Sequence, residues 1–173
     1  MKTHELWISP ARPAEVFSGS SQFKALLRWG CWVAEPKVDG WRCVIIKGDG
    51  GLSFLSRQGK PLAVPASIET GVFDSFPPDS VLDGEWVRSE GLLYLFDIPV
   101  YKGELLKNLY QERRHMLKNV MPSMGRVRVV EHLGMDAGVV KRAHDKGYEG
   151  VVFKDMNTQY PQGKTRDWLK CKT

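Results

Sequence analysis

Apolar and polar positions alternate along much of this chain, and the alternation predicts strands. Trp41 to Lys47 is rich in β-branched and apolar residues, Asp49-Gly50-Gly51 reads as a turn, and Leu52 to Arg57 returns as the second strand of a hairpin. Val81 to Val87 and Leu92 to Ile98 predict another antiparallel pair, joined through Ser89-Glu90-Gly91. Shorter strands are predicted at Trp32 to Ala34, Val127 to Val130, Gly150 to Phe153 and Trp168 to Lys172. Helical spacing is confined to a few stretches. Ser21 to Trp29 predicts a helix capped by Ser20 or Ser21. In Leu105 to Val120, the apolar Leu105, Leu109, Met116, Leu117 and Val120 fall near one face, Glu112, Arg113 and Arg114 are polar, and Pro122 ends the run. Asp136 to Lys146 predicts another helix, capped by Asp136 and stopped by Gly147. Pro65 to Phe73 predicts a short one, and Ile8 to Pro13 an extended lead-in. Many short strands with helices between some of them give an α+β class, with mostly antiparallel sheets and flanking helices.

Composition narrows the class. The chain has 173 residues, of which 42% are hydrophobic, enough for one domain with its own core. No run of about 18 apolar residues is present, so no membrane span is predicted. The start, M-K-T-H-E-L-W, lacks the apolar centre of a secretory signal. Cys31, Cys43 and Cys171 form no C-x-x-C pair, which argues against a zinc site or a disulfide framework and fits a reducing cytosol. His4, His115, His132 and His144 show no metal-ligand spacing. The net charge of +5 is compatible with nucleic acid, and equally with a generic basic protein.

Several charged residues stand where a strand calls for apolar ones. Asp83-Gly84-Glu85 interrupts V-L-D-G-E-W-V, Glu149-Gly150 opens V-V-F-K, and Lys170 and Lys172 alternate onto one face of W-L-K-C-K. Such residues either lie on a solvated outer face or mark a site, because a buried charge is costly unless paired. The stretch Glu35 to Arg42, E-P-K-V-D-G-W-R, places Lys37 between Glu35 and Asp39. Taken alone it also fits a lysine beside an ordinary Asp-Gly turn. A lysine becomes nucleophilic once it loses its proton. Glu85 and Glu149 could hold a divalent cation against phosphate oxygens. Lys170 and Lys172 could neutralise the same phosphate, and Lys37 could attack it. That inventory suffices for nucleotidyl transfer, which depends mostly on positioning and charge neutralisation.

The order of these segments carries a resemblance. Glu35 to Arg42 resembles motif I of the covalent nucleotidyltransferases, which include ATP-dependent DNA ligases, RNA ligases and capping enzymes. Ser56-Arg57 looks like motif Ia, Leu82 to Glu85 motif III, Tyr94 to Ile98 motif IIIa, Glu149 to Lys154 motif IV, and Trp168 to Lys172 motif V. Glu35 two places before Lys37, Phe96-Asp97-Ile98, and the forms of motifs IV and V look most like the ATP-dependent DNA ligases.

The resemblance implies the nucleotidyltransferase (ATP-grasp-like DNA ligase adenylation) fold, with the nucleotide between the sheets. It implies a single adenylation domain over 1–173, with a lead-in and helix over 1–30, the core over 31–173, and no oligonucleotide-binding (OB-fold) domain in the chain. Lys37 would attack ATP and carry AMP as a lysyl phosphoramidate, then pass it to the 5′-phosphate of a nick for sealing. Glu35 would recognise adenine, Arg42 and Glu85 the ribose, Arg57 ribose or phosphate and the nicked strand, and Phe96 would stack on the purine. Glu149, with Glu85, would serve Mg²⁺ or Mn²⁺. Lys170 and Lys172 would neutralise the α-phosphate, with Lys154 and Arg166 as further phosphate contacts. The arginines of the Glu112 to Arg114 run, with Arg126 and Arg128, would either touch DNA or lie on a solvated face. The partners implied are nicked duplex DNA and a separate OB-fold domain or protein, with no membrane. The chain would be a monomer, cytoplasmic or nucleoid-associated. RNA ligase or capping chemistry, or a non-catalytic binding remnant, are the alternatives.

Overall fold

The computed structural model describes residues 1–69 and 72–173. Its elements run α1 (Thr3–Leu6), β1 (Arg12–Glu15), α2 (Ser21–Arg28), β2 (Trp32–Lys37), β3 (Trp41–Gly48), β4 (Gly51–Leu55), α3 (Ala66–Glu69), β5 (Ser80–Val87), β6 (Leu92–Tyr101), β7 (Glu104–Leu105), α4 (Tyr110–Val120), β8 (Val127–Val129), α5 (Val139–Asp145), β9 (Gly150–Asp155) and β10 (Lys164–Lys172). Among the described residues they form two sheets. One has the order β1-β10-β9-β2, and the other β4-β3-β5-β6-β7 with β8 attached to β6. The pairings are antiparallel except β1 with β10 and β6 with β8. The α+β class and its mainly antiparallel sheets therefore stand.

Strand alternation divides the interior. In β3, Cys43 and Ile45 enter a core shared with Phe73, Phe76, Leu117 and Met121. Val44 and Ile46, on the opposite face, join Val81, Tyr160 and Trp168 between the two sheets. The far face of the smaller sheet packs Phe153, Leu169 and Cys171 against Phe23 and Leu26 of α2 and Val139 and Ala143 of α5. Each buried aliphatic or aromatic side chain of this kind stabilises by about 1.5–3 kcal/mol. Ser20 caps α2 by accepting from the Phe23 N–H at 3.1 Å.

The Asp83-Gly84-Glu85 segment does not break its strand. β5 runs through it, with register shifts on either side of Asp83. A Cβ at Gly84 would lie 2.4 Å from the Tyr94 carbonyl oxygen, so only glycine allows β5 this close to β6.

Other expectations need correction. The helix predicted from Leu105 starts at Tyr110. Gly103, at φ +85°, turns the chain, and Glu104–Leu105 pairs back onto β6 as β7. The Glu112 carboxylate accepts from the Leu109 N–H at 2.9 Å, which fixes the helix start there. Leu105 and Leu109 are exposed. The helix predicted over Asp136 to Lys146 is confined to Val139–Asp145, because Asp136 caps from outside by accepting from the Gly138 N–H at 2.7 Å. Of the short helix predicted over Pro65 to Phe73, Ala66–Glu69 is helical, and Thr70 and Gly71 lie outside the described residues.

Arg113 and Arg114 lie neither on a solvated face nor within reach of DNA, because both are buried. Arg113 donates to the two oxygens of Asp97 at 2.8 and 3.1 Å, and to the carbonyls of Asn108 and Thr158 at 2.9 and 3.0 Å. A charge this deep persists because its donors are satisfied. Arg128 donates to the Gly125 and Val127 carbonyls at 2.5 and 3.0 Å, and Arg126 to the Gly91 carbonyl at 3.5 Å. No helix among the described residues is long and apolar enough to cross a membrane.

Candidate active site

β2 ends on Lys37, and β9 begins opposite it at Gly150. The Glu149 N–H donates to the Lys37 carbonyl at 3.0 Å. That backbone link brings the two side chains together, and the Lys37 ammonium donates to Glu149 Oε2. From the other side, β10 pairs Lys172 with Gly150, and Lys172 Nζ lies 2.7 Å from Glu149 Oε1. The strands can close this tightly because residue 150 is glycine, where a Cβ would meet the Cys171 carbonyl oxygen at 2.1 Å. Burial opposes ionisation of Glu149, but hydrogen bonds from Lys172 and Lys37 outweigh it and hold the carboxyl below its ordinary range. The same Glu149 bond raises the Lys172 ammonium. Lys170, also on β10, makes a looser pair with Glu15 at 3.5 Å.

Beside Lys37 a cavity of about 490 Å³ opens between the two sheets. Glu35, Lys37, Lys154 and Lys170 line it from the smaller sheet, and Arg42, Arg57, Glu85 and Phe96 from the side of the larger one. Glu149 and Lys172 adjoin it through Lys37. Arg166 is exposed on β10 and outside the lining. The structure thus brings the expected site residues around one cavity, apart from Arg166.

The charged residues of the larger sheet are interlocked. Arg42 forks onto both oxygens of Asp83 at 2.6 Å each, and the Tyr160 hydroxyl donates to Asp83 at 2.5 Å. Asp83 is fully buried, so Arg42 is held as a fixed cation on the cavity wall, 5.0 Å from the centre of the Phe96 ring. Burial disfavours the Arg42 charge, but Asp83 more than restores it, so its pKa is raised. Glu85 pairs with Arg42 across β3 and β5. Its burial pushes the carboxyl up to about 7, against the attraction of Arg42 and Lys37.

Glu35 is buried, 2% exposed. Lys154 Nζ lies 2.7 Å from one of its oxygens, and the Tyr110 hydroxyl donates to the other, which Arg114 also approaches at 3.6 Å. Tyr110 contacts His132 at 2.9 Å as well. Burial and the Glu35 charge raise the Tyr110 phenol, while burial and Arg114 lower His132. Lys154, expected as a phosphate contact, is instead buried with its ammonium on Glu35, on the Phe96 carbonyl at 3.2 Å and over the Trp168 ring at 4.0 Å. It braces the cavity floor, because its donors are already taken up.

Sequence reasoning assigned no role in the site to Asp83, Asp97, Tyr110, His132, Arg12 or Trp168, and placed Arg114 on a surface. Asp83 and Asp97 carried a usable signal, as acids inside apolar strands demand partners. Arg12, exposed on β1, and Trp168 also line the cavity. Among the described residues no group of three or more His, Cys, Asp or Glu side chains converges. Glu149, with Glu85 within electrostatic reach, supplies the one or two hard oxygen donors that suit Mg²⁺, an ion that takes its remaining ligands from water and phosphate.

Comparison with known proteins identifies this arrangement. Residues 87–172 match the ATP dependent DNA ligase domain, and the chain is 28% identical over 169 residues to the multifunctional non-homologous end joining protein LigD of Pseudomonas aeruginosa. The chain belongs to the ATP-dependent DNA ligase family. That match covers 83% of the chain but 20% of the relative, so this ligase domain corresponds to a fifth of that protein's length. The ligase domain of LigD from M. tuberculosis superposes with a TM-score of 0.74 at 24% identity, covering 95% of this chain and 60% of that one. The ATP-dependent DNA ligase of bacteriophage T7, solved in complex with ATP, gives 0.65 at 20% identity, over 95% and 68%. These likenesses establish the adenylation-domain fold, which agrees with the resemblance carried by the motifs.

Proposed function

We propose that this ligase domain adenylates itself on Lys37 and passes the AMP to the 5′-phosphate of a nick in duplex DNA. One observation supports this most directly. Lys37 stands on the wall of a nucleotide-sized cavity, and its ammonium shares one carboxylate, Glu149, with Lys172. Lys37 Nζ, once deprotonated, attacks the α-phosphorus of ATP. An N–P bond forms, the bond from the α-phosphorus to its bridging oxygen breaks, and pyrophosphate leaves with the electron pair. The 5′-phosphate oxygen then displaces Lys37 from that phosphorus, and the 3′-hydroxyl oxygen displaces AMP.

The residues divide this work by position. Phe96 offers an aromatic surface for the purine, and the Glu35 carboxylate lies at the cavity floor for its amino group, alongside Lys154 and Tyr110. Arg42 and Glu85 face the ribose, and Arg57 the outer phosphates or the nicked strand. Lys170 and Lys172 neutralise charge on the α-phosphate. Glu149 and Glu85 would hold Mg²⁺ or Mn²⁺, which supplies Lewis-acid neutralisation of the phosphate oxygens.

Incubation with α-labelled ATP and Mg²⁺ tests the first step. The expected result is an acid-stable label, resistant to hydroxylamine and absent in Lys37→Ala. A folded protein that takes no label at high ATP overturns autonomous adenylation. Sealing of a pre-adenylated nick tests the later step separately.

A further inference from the structure

Trp41 differs from the tryptophans that build the cores. Trp86, its cross-strand partner, is 5% exposed and Trp168 is 1% exposed, whereas Trp41 is 63% exposed. Trp41 cannot sink inward. A Cβ at the preceding Gly40 would already meet the Trp86 carbonyl oxygen at 2.5 Å, so the backbone is pressed onto β5 and Trp86 occupies the core beside it. Exposure alone is not distinctive, since Trp29 is 60% exposed at the end of α2. What separates Trp41 is its place on the cavity lining, at the start of the strand that carries Arg42 and four residues after Lys37.

The surroundings favour a polyanion. Arg57, exposed on the tight turn after β4, lines the same cavity and has no side-chain partner among the described residues. Lys170 lines it too, and Lys172 stands beyond Lys37. Two exposed acids stand next to them, Glu15 on Lys170 at 3.5 Å and Asp39 within electrostatic reach of Lys172. An exposed indole beside one cation unpaired among the described residues, Arg57, and two paired ones is the grouping that holds polynucleotide strands, with the aromatic face taking a base and the cations the phosphates. We propose that Trp41 docks the nicked strand, stacking on a base or sugar next to the 5′-phosphate that receives AMP. This rests on the proposed ligase reading and adds a strand-positioning residue to it.

The test uses pre-adenylated nicked duplex with wild type, Trp41→Ala and Trp41→Phe, and follows Lys37 labelling by ATP in parallel. Trp41→Ala is expected to weaken duplex binding about five- to a hundredfold, beyond any change in labelling, with Trp41→Phe recovering most of it. The salt dependence of binding should be unchanged in Trp41→Ala, because no phosphate contact is lost, whereas Arg57→Ala should flatten it by about one counterion. Equal duplex binding by wild type and Trp41→Ala overturns the inference. So does a loss shared equally by Trp41→Phe, or one matched by the loss of labelling, which would assign the indole to packing or to the nucleotide. A wild-type protein that labels but binds no duplex overturns it while leaving adenylation standing. A protein that does neither takes the ligase reading down with it.

Discussion

Asp97–Arg113 and Lys37–Glu149 are both ion pairs anchored on a strand, built under opposite conditions. The first is sealed, Asp97 at 1% and Arg113 at 0% exposure, with the Asn108 and Thr158 carbonyls also accepting from the guanidinium. The second is open, at 22% and 24%, and its carboxylate is contested by Lys172. A sealed, saturated pair holds geometry, since exchanging either partner leaves a buried charge alone. An open pair with one acid between two lysines can hand its cations to an arriving phosphate. The Glu35–Lys154 and Asp83–Arg42 pairs belong with the sealed kind, even though they border the cavity. They shape the cavity, and in the proposed function Lys37, Lys170 and Lys172 are the cations that act in it.

The contrast is sharpest at Lys37. Lys37→Ala should abolish covalent labelling, a loss of roughly a thousandfold or more, while the urea midpoint stays near wild type. Arg113→Met should do the reverse, costing about 3–5 kcal/mol of stability by urea denaturation. The double change Arg113→Met with Asp97→Leu should recover much of that loss, because the stranded carboxylate is gone. Lys172→Ala should slow labelling on the order of a hundredfold, with stability changed by less than about 0.5 kcal/mol.

Glu85 supplies a pH test. Its carboxyl, near 7, is neutral below that pH, and under the proposed role in holding Mg²⁺ metal binding would have to expel the proton. The Mg²⁺ concentration for half-maximal labelling should therefore rise as pH falls through about 7, and Glu85→Gln should remove that component. The raised value also sets a stability trend. The contribution is fully present below the ordinary value of 4.5 and is lost as pH rises through about 7. The smallest effect belongs to Tyr110→Phe, which keeps Lys154 on Glu35 and should cost about 1–2 kcal/mol in urea.

What was legible in the sequence follows the same division. Strand alternation and the Ser20 cap are local signals, and β3, β5, β6 and α2 fall where they indicate. α1, β1 and β7 are too short to show a period, and the parallel pairing of β1 with β10 joins opposite ends of the chain. The charged motif residues that gather around the cavity were readable from their order along the chain. Their partners were not. Arg113 and Arg114 look like surface residues until Asp97 and Glu35 are seen beneath them. Lys154 looks like a phosphate contact until the depth of Glu35 is known. Residue type states what a side chain can do, but only tertiary pairing shows which of its donors remain free.

The meeting of Lys37 with Glu149 spans 112 residues of sequence and rests on β2 and β9 lying side by side. Such non-local pairings form late, after the entropy of closing a long loop has been overcome. The candidate centre therefore depends on a pairing that cannot form until that loop has closed. Under the proposed function, a chain in which β2 and β9 are still apart would hold no competent lysine with which to consume ATP, and the appearance of a covalent adenylate during refolding would time that pairing.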